Sequence, residues 1–439
     1  MACGSQPRPP TIKARHSRID PRALCYNFAV SAWAPEREAR CGDCVDPRTF
    51  VDLARTLALD HHKWDAQVGD VAALAPFPLV LSRAAWRELH ATAEALGLET
   101  VAVENELASR PDLYARMGVF GPLARALRPD PEAPPTPAAA RIMRFDFHPA
   151  SDGWRVSEVN SDVCGGFTES SRFAELMADT TGCGDPVGDP GAAWTDAIAA
   201  GVPSGGTVAL LSAPGWVEDA QVVAHLAARF RSRGLDAQLA SPHQLRWVDG
   251  RARLQSDFRC GPVDAILRFY QVEWIADLPC RQAWMPLFRG GRTPVSNPAR
   301  AALTETKRLP LVWSELDAST TASRRAMPEA RDPRDAPGLW GGDWVLKPAF
   351  GNTGDHVALR GRMSKSAWCR TVVAALAQPR RWVAQRRFES IPLQTPRGPL
   401  HACVGAYVID GRVAGAYGRL SPSPVIDFTA LDVAVLVES

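Results

Sequence analysis

The residues of this chain best suited to chemistry fall in two short runs, Met143-Arg144-Phe145-Asp146-Phe147 and Trp154-Arg155-Val156-Ser157-Glu158-Val159-Asn160. Successive side chains of a strand point to opposite faces. Arg144 and Asp146 therefore share one face of the first run, and Glu158 and Asn160 share one face of the second. Between them lies Ser151-Asp152-Gly153, which reads as a three-residue hairpin loop with glycine at its left-handed last position. That loop length predicts Asp146 opposite Glu158 and Arg144 opposite Asn160. A two-residue loop would shift the register by one and put the carboxylates on opposite faces.

Facing carboxylates, with Cβ atoms roughly 5 Å apart, repel unless a cation lies between them. On that basis, neutralising one of them is expected to leave stability unchanged or raise it. Magnesium suits such a place, because it takes oxygen ligands in an octahedron and is commonly held by one or two carboxylates together with substrate phosphates. Asp146, Glu158 and Asn160 are the expected metal ligands, and the guanidinium fork of Arg144 can bridge to a phosphate oxygen. The competing reading is an ordinary surface hairpin with an Arg–carboxylate pair of little energetic worth.

Other elements must position this hairpin. Lys347 sits in the apolar strand Trp344-Val-Leu-Lys-Pro348, where a buried cation needs an anionic partner that nucleotide phosphates would supply. A lysine with a covered stem and a solvated ammonium is the alternative. The following loop, Phe350-Gly351-Asn352-Thr353-Gly354-Asp355, places Gly351 and Gly354 where backbone N–H groups can approach phosphate oxygens. Val404 to Arg419 reads as a hairpin turning at Asp410-Gly411.

Upstream, residues 47–127 are mostly helical in pattern, with Ser82 as the N-cap of one helix and Gly97 as its stop. A proline-rich connector, Arg128-Pro-Asp-Pro-Glu-Ala-Pro-Pro-Thr-Pro137, follows. An α/β region opens at Thr207-Val-Ala-Leu-Leu-Ser-Ala-Pro-Gly, with a helix over 218–233 and strands over 237–240 and 265–269. The Gly215 turn could present a helix N-terminus to an anion, although such glycines more often only make the turn.

Together these motifs resemble the glutathionylspermidine synthase group of ATP-grasp ligases. Arg144-x-Asp146, then Glu158-x-Asn160, is similar to that family's metal motif. Ser161 to Ser170, Asn297-Pro298, Lys307, Trp344 to Pro348, Gly351 to Gly354 and Trp382-Val-Ala-Gln385 follow in the family's order, from about residue 60 to the C-terminus. The resemblance implies an α/β (α+β) fold, a circularly permuted ATP-grasp domain whose metal strands precede its nucleotide strands. It divides the chain into a mainly helical region with the connector (1–134), the metal-hairpin segment (135–205), a preATP-grasp-like α/β region (206–294) and a nucleotide-binding part (295–439).

The resemblance also implies an ATP- and magnesium-dependent carboxylate–amine ligase that works through an acyl phosphate and uses two magnesium ions. Arg144, Lys347 and Arg419 would be catalytic. Lys307, Lys347, Gly351, Gly354, Gln385 and Glu389 would bind ATP, with Gln385 at the adenine edge, Phe388 nearby and Glu389 at the ribose. The partners would be a small-molecule or peptide carboxylate and an amine. Cys164-Gly165-Gly166 stands where hydroxyl-bearing residues are expected if glutathione is held, and no acidic cluster fit for a polyamine is visible in the sequence. Two rival readings are an ATP-grasp phosphotransferase and a nucleotide-binding protein without ligase activity.

With 439 residues and a formal net charge of +2, the chain can bury a large core and carries too little charge to suggest a nucleic-acid partner. No apolar run approaches the ~20 residues of a membrane span, and the N-terminus lacks the apolar core of a secretory signal and reads as a disordered lead-in. The ten cysteines are scattered, which predicts reduced thiols in a cytoplasmic enzyme. Cys41-Gly-Asp-Cys44 would need further ligands, such as Cys25 with His61 or His62, to hold zinc, and no second paired motif supports that. Cys164 could line the pocket but is more simply a buried thiol. The sequence assigns no oligomeric state.

Overall fold

The computed structural model describes residues 35–439 apart from 66, 69–70, 133–136, 138, 257–258, 352–353 and 355. All of these belong to the unit Ala34–Ser439. The N-terminal lead-in, Cys25 and the middle of the proline-rich connector lie outside the described residues, as do Asn352, Thr353 and Asp355 of the glycine loop.

Three sheets frame the molecule's large cavity. The first has six strands in the order Leu431–Val433, Arg412–Ser421, Gly398–Ile409, Ile142–Ala150, Gly153–Asn160, with Pro392–Thr395 also pairing to Gly398–Ile409. Its pairs are antiparallel, and Asp410 and Gly411 turn the long hairpin with φ of 48° and 81°, as the Asp-Gly pair requires. The second sheet is Ala330–Arg331, Trp382–Arg386, Trp344–Pro348, Ala358–Leu359, again antiparallel.

The third is parallel, in the order Val295–Ser296, Ala265–Phe269, Thr207–Ser212, Asp236–Ala240. Thr207–Ser212 is an unbroken apolar run because both faces are covered. Val208 and Leu210 pack under Val222, Val223, Leu226 and Phe230 of the helix Val217–Ser232, while Ala209 and Leu211 join Ile266, Leu245 and Tyr270 on the other side. Each Val, Leu, Ile or Phe among them contributes roughly 1.5–3 kcal/mol when fully buried.

Two local expectations need correcting. The helix capped by Ser82, whose Oγ accepts from Ala85 N at 3.0 Å, does not stop at Gly97 but runs from Arg83 to Leu107. Gly97 is there for packing, since a Cβ on it would lie 2.9 Å from Cγ1 of the buried Val408. The loop of the first hairpin has two residues, not three, because Ala150 pairs with Gly153. A bulge between Asp146 and Phe147 on one strand, and Ser157 on the other, then restores the predicted register: Phe147 pairs with Val156, Asp146 with Glu158, and Arg144 with Asn160. Inserting one residue into one strand offsets the shift that the shorter loop causes.

Candidate active site

That bulge shapes the site. The carbonyl of the extra residue, Ser157, accepts from Lys347 Nζ at 3.0 Å and from Gln385 Nε2 at 3.2 Å, and Ser157 Oγ meets His148 Nε2 at 2.9 Å. The first hairpin is thereby joined to the second sheet, where Trp344–Pro348 and Trp382–Arg386 lie side by side with Lys347 opposite Val383. Lys347 is buried, and burial lowers its pKa to about 8 against the pull of Glu158.

Asp146 receives the fork of Arg144, Nε at 2.7 Å and Nη2 at 3.0 Å, and the Nδ2 of Asn160 at 3.0 Å. Arg144 Nη1 donates to Gly165 O at 2.9 Å, and its guanidinium lies over the Tyr417 ring at 5.2 Å. Glu158 Oε2 is 3.3 Å from Lys307 Nζ, which also donates to Gly351 O at 2.6 Å. Burial would push the Glu158 carboxyl up, but Lys307, Lys347 and Arg144 outweigh it and bring its pKa down to about 2. The facing carboxylates are thus already balanced by protein cations. The expectation that neutralising Asp146 would leave stability unchanged or raise it is reversed, because Arg144 would lose its partner. Gly405, opposite Asp146 on the next strand, leaves room for the pair: a Cβ there would lie 2.6 Å from Arg144 Cδ.

These donors fit a hard divalent cation. Two carboxylates face each other, one of them held ionised, and Asn160 has given its amide N–H to Asp146, which leaves the amide oxygen as its remaining donor. Among the described residues, no group of three or more His, Cys, Asp or Glu is gathered for a metal, so any ion here would rest on two carboxylates, an amide and its substrate.

A cavity of about 880 Å³ opens over this floor, within the range of small-molecule sites. Arg144, Asp146, Glu158, Asn160, Lys347, Gly351, Gly354, Gln385, Glu389 and Arg419 all line it. Lys307 stands behind Glu158, its backbone N–H bonded to Ala349 O at 2.9 Å. Gln385 is buried and committed to Ser157. Glu389 is exposed just past the end of its strand, and Phe388 packs on His148 with ring centroids 5.7 Å apart. Arg419 donates to Asp427 O at 2.6 Å and lies 3.9 Å from Asp432. Cys164 is buried outside the cavity lining, and burial raises its thiol pKa to about 12.

The far end of the cavity was not visible in the sequence. Asp65, Glu169, Glu218, Asp219 and Asp432 line it, drawn from segments scattered along the chain, so an acidic cluster does exist; Glu273, which feels the Lys307 charge, lines the same cavity. Burial raises the Asp219 pKa to about 6, reinforced by Glu218, and the Glu273 pKa to about 7, reinforced by Asp162. Gln271 Oε1 and Glu273 Oε2 are buried acceptors with no donor among the described residues. Trp216 and Trp274, exposed by 59% and 40%, lie at this end with ring centroids 6.1 Å apart. The Gly215 turn leads into this acidic helix terminus, where Glu218 and Asp219 occupy the first turn and would repel an anion.

The ends of the hairpin strands that carry Arg144 and Asn160 are clamped by residues that the sequence did not mark for this role. Asn297 accepts from Ile142 N at 2.9 Å and donates to the carbonyls of Ile142, Ser161 and Asp162 at 2.8, 3.1 and 2.9 Å. Glu305 Oε2 accepts from the N–H groups of Ser161 and Asp162 at 2.6 and 2.9 Å.

Residues 80–438 match the profile of a family described as glutathionylspermidine synthase preATP-grasp. No curated protein gives a significant match. Among solved structures, D-alanyl-alanine synthetase A from Vibrio cholerae is similar at 13% identity and TM-score 0.33, over 51% of this chain and 69% of that one. A RimK domain ATP-grasp protein from Sphaerobacter thermophilus is similar at 17% identity and TM-score 0.27, over 51% and 92%. No helix of the described residues is long and apolar enough to cross a membrane.

Proposed function

The chain belongs to the glutathionylspermidine synthase preATP-grasp family and is an ATP-dependent ligase of the ATP-grasp fold, and from that premise we propose that it joins a carboxylate to an amine. The observation that carries this reading is the polarity of the cavity, with lysines and an arginine around carboxylates at one end and acids in excess of their cations at the other. Lys347, Lys307 and Arg144 hold and orient the ATP phosphates. Gly351 and Gly354 bring backbone close to them, Gln385 and Glu389 line the nucleoside side, and Arg419 faces the reacting carboxylate. Asp146, Glu158 and Asn160 would hold magnesium, which when bound supplies charge neutralisation on the phosphates.

The γ-phosphoryl group passes to the substrate carboxylate, and the amine then displaces phosphate from the acyl carbon. Positioning and electrostatics do most of this work, since phosphoryl transfer asks for little covalent help from protein groups. The acid end attracts the amine as its ammonium. Glu273, with a pKa raised to about 7, is suited to take the proton that the ammonium must lose before it attacks. A phosphotransferase that released a phosphorylated product would have no use for such an end.

The direct test supplies the protein with ATP, magnesium and pooled carboxylates and amines, and follows ADP, phosphate and new masses together. The reading expects a product heavier than its carboxylate by the amine less water, with phosphate release that needs both partners. A phosphorylated product formed without amine would replace it with the phosphotransferase reading.

A further inference from the structure

Lys63 follows the helix Pro47–Asp60 and is 2% exposed. Its ammonium lies 2.7 Å from Asp65 and 3.0 Å from Asp432, and Glu169 closes the third side. Tyr417 donates its hydroxyl to the other oxygen of Asp432. Burial alone would strip the proton from such a lysine, but the three carboxylates outweigh it and hold the charge. The backbone around Lys63 is secured without the ammonium. Lys63 N donates to Leu57 O at 2.9 Å, and the amides of Trp64 and Asp65 donate to Gln221 Oε1 at 2.9 and 3.3 Å. A side chain needed only to tie down this segment would duplicate those bonds. Lys63 instead lines the cavity, and its charge is felt at Glu218.

We propose that Lys63 is a resident ammonium that fills the innermost cation position of the acceptor end. On this assignment the amine substrate carries a single ammonium, seated among Glu218, Asp219 and Glu273 with Trp216 and Trp274 over its body. A second cationic group on the substrate would have to approach Lys63, whose ammonium already takes one oxygen of each carboxylate of the cage. The substrate class is therefore a monoamine with an apolar body, and Lys63 sets that limit. This inference rests on the carboxylate–amine reading of the same cavity.

The test uses n-butylamine and 1,4-diaminobutane as probes, with binding measured by calorimetry on the full chain. The wild type is expected to bind the diamine no more tightly than the monoamine. Lys63→Ala empties the cage, so the second ammonium gains it and the diamine should bind about tenfold or more tighter than butylamine. An unchanged ratio in a Lys63→Ala protein with wild-type ATP affinity overturns the proposal and leaves a purely structural lysine. A diamine bound tenfold tighter than butylamine by the unmodified protein overturns it too, whether or not the variant folds. Failure of the carboxylate–amine reading itself would appear separately, as an unmodified protein that consumes ATP without needing an amine or does not bind ATP at all.

Discussion

At one end of the cavity three cations, Arg144, Lys307 and Lys347, close on two carboxylates from adjacent strands. At the other, Asp65, Glu169 and Asp432 close on a single lysine, Lys63, with Glu218 and Asp219 crowded beside them. At the cation end the register of one hairpin brings Asp146 and Glu158 together, and their neighbours hold at least Glu158 ionised. At the acid end the groups crowd without enough partners, and Asp219 and Glu273 are pushed toward their neutral forms. The contrast shows that a paired cluster is a settled piece of structure, whereas an under-paired one stores a demand for a ligand of opposite charge.

The largest effect that would break this contrast is at Asp146. Asp146→Asn should lower ATP turnover on the order of 10²-fold or more, by the scale of one lost electrostatic element. It should also cost roughly 3 kcal/mol of stability, because Arg144 stays buried without its carboxylate. Urea melts beside turnover assays check both, and a variant as stable as the wild type would mean that Arg144 does not depend on Asp146.

Lys347→Ala should weaken ATP binding about ten- to hundredfold, the worth of a charge-assisted contact of roughly 1.5–3 kcal/mol. With its pKa lowered to about 8, Lys347 loses charge as pH rises past that value, so wild-type ATP affinity should fall between pH 7 and 9 while Lys347→Arg stays flat. In the ligand-free protein this lysine holds fewer protons than an unfolded one between about pH 8 and 10.4, so its contribution makes stability rise with pH across that window. Calorimetry across pH reads the first effect and thermal melts the second.

At the acid end the sign is opposite. Asp219, raised to about 6, keeps its proton in the folded state after the unfolded chain has lost it, so its contribution makes stability fall from about pH 4 to 6. Asp219→Asn should flatten that slope and raise the melting temperature near pH 7 by a few degrees. Melting curves over pH 4–8 decide, and an identical slope in the variant would deny that the acids are crowded.

The smallest expected effect lies away from both ends. Gly97→Ala would gain up to about 1 kcal/mol in an open helix, but against Val408 it should cost about 1–2 kcal/mol, as overpacking does. Denaturant midpoints check this, and a stabilised variant would mean that Gly97 is not there for packing.

Legibility followed the same divide. The Arg144–Asp146 and Glu158–Asn160 faces were readable because strand alternation is local, and the Lys347 strand because an apolar run with one lysine is conspicuous. The register came out as predicted by an unpredicted route, since a bulge leaves no compositional mark in Val156-Ser157-Glu158. Gly97 misled because a packing glycine and a stop glycine look alike without the neighbouring strand. The acid end was hidden because Asp65, Glu169, Glu218, Glu273 and Asp432 lie far apart in the chain and meet only through the fold.

The central claim is that the cation end holds ATP together with a metal on Asp146, Glu158 and Asn160. Its most direct test is calorimetric titration of ATP with and without magnesium on the wild type and on Glu158→Gln. The account predicts that magnesium strengthens ATP binding to the wild type at least tenfold, and that the glutamine variant, still folded, loses most of that gain. Equal affinities with and without magnesium in the wild type, or a full magnesium gain in the variant, would contradict it.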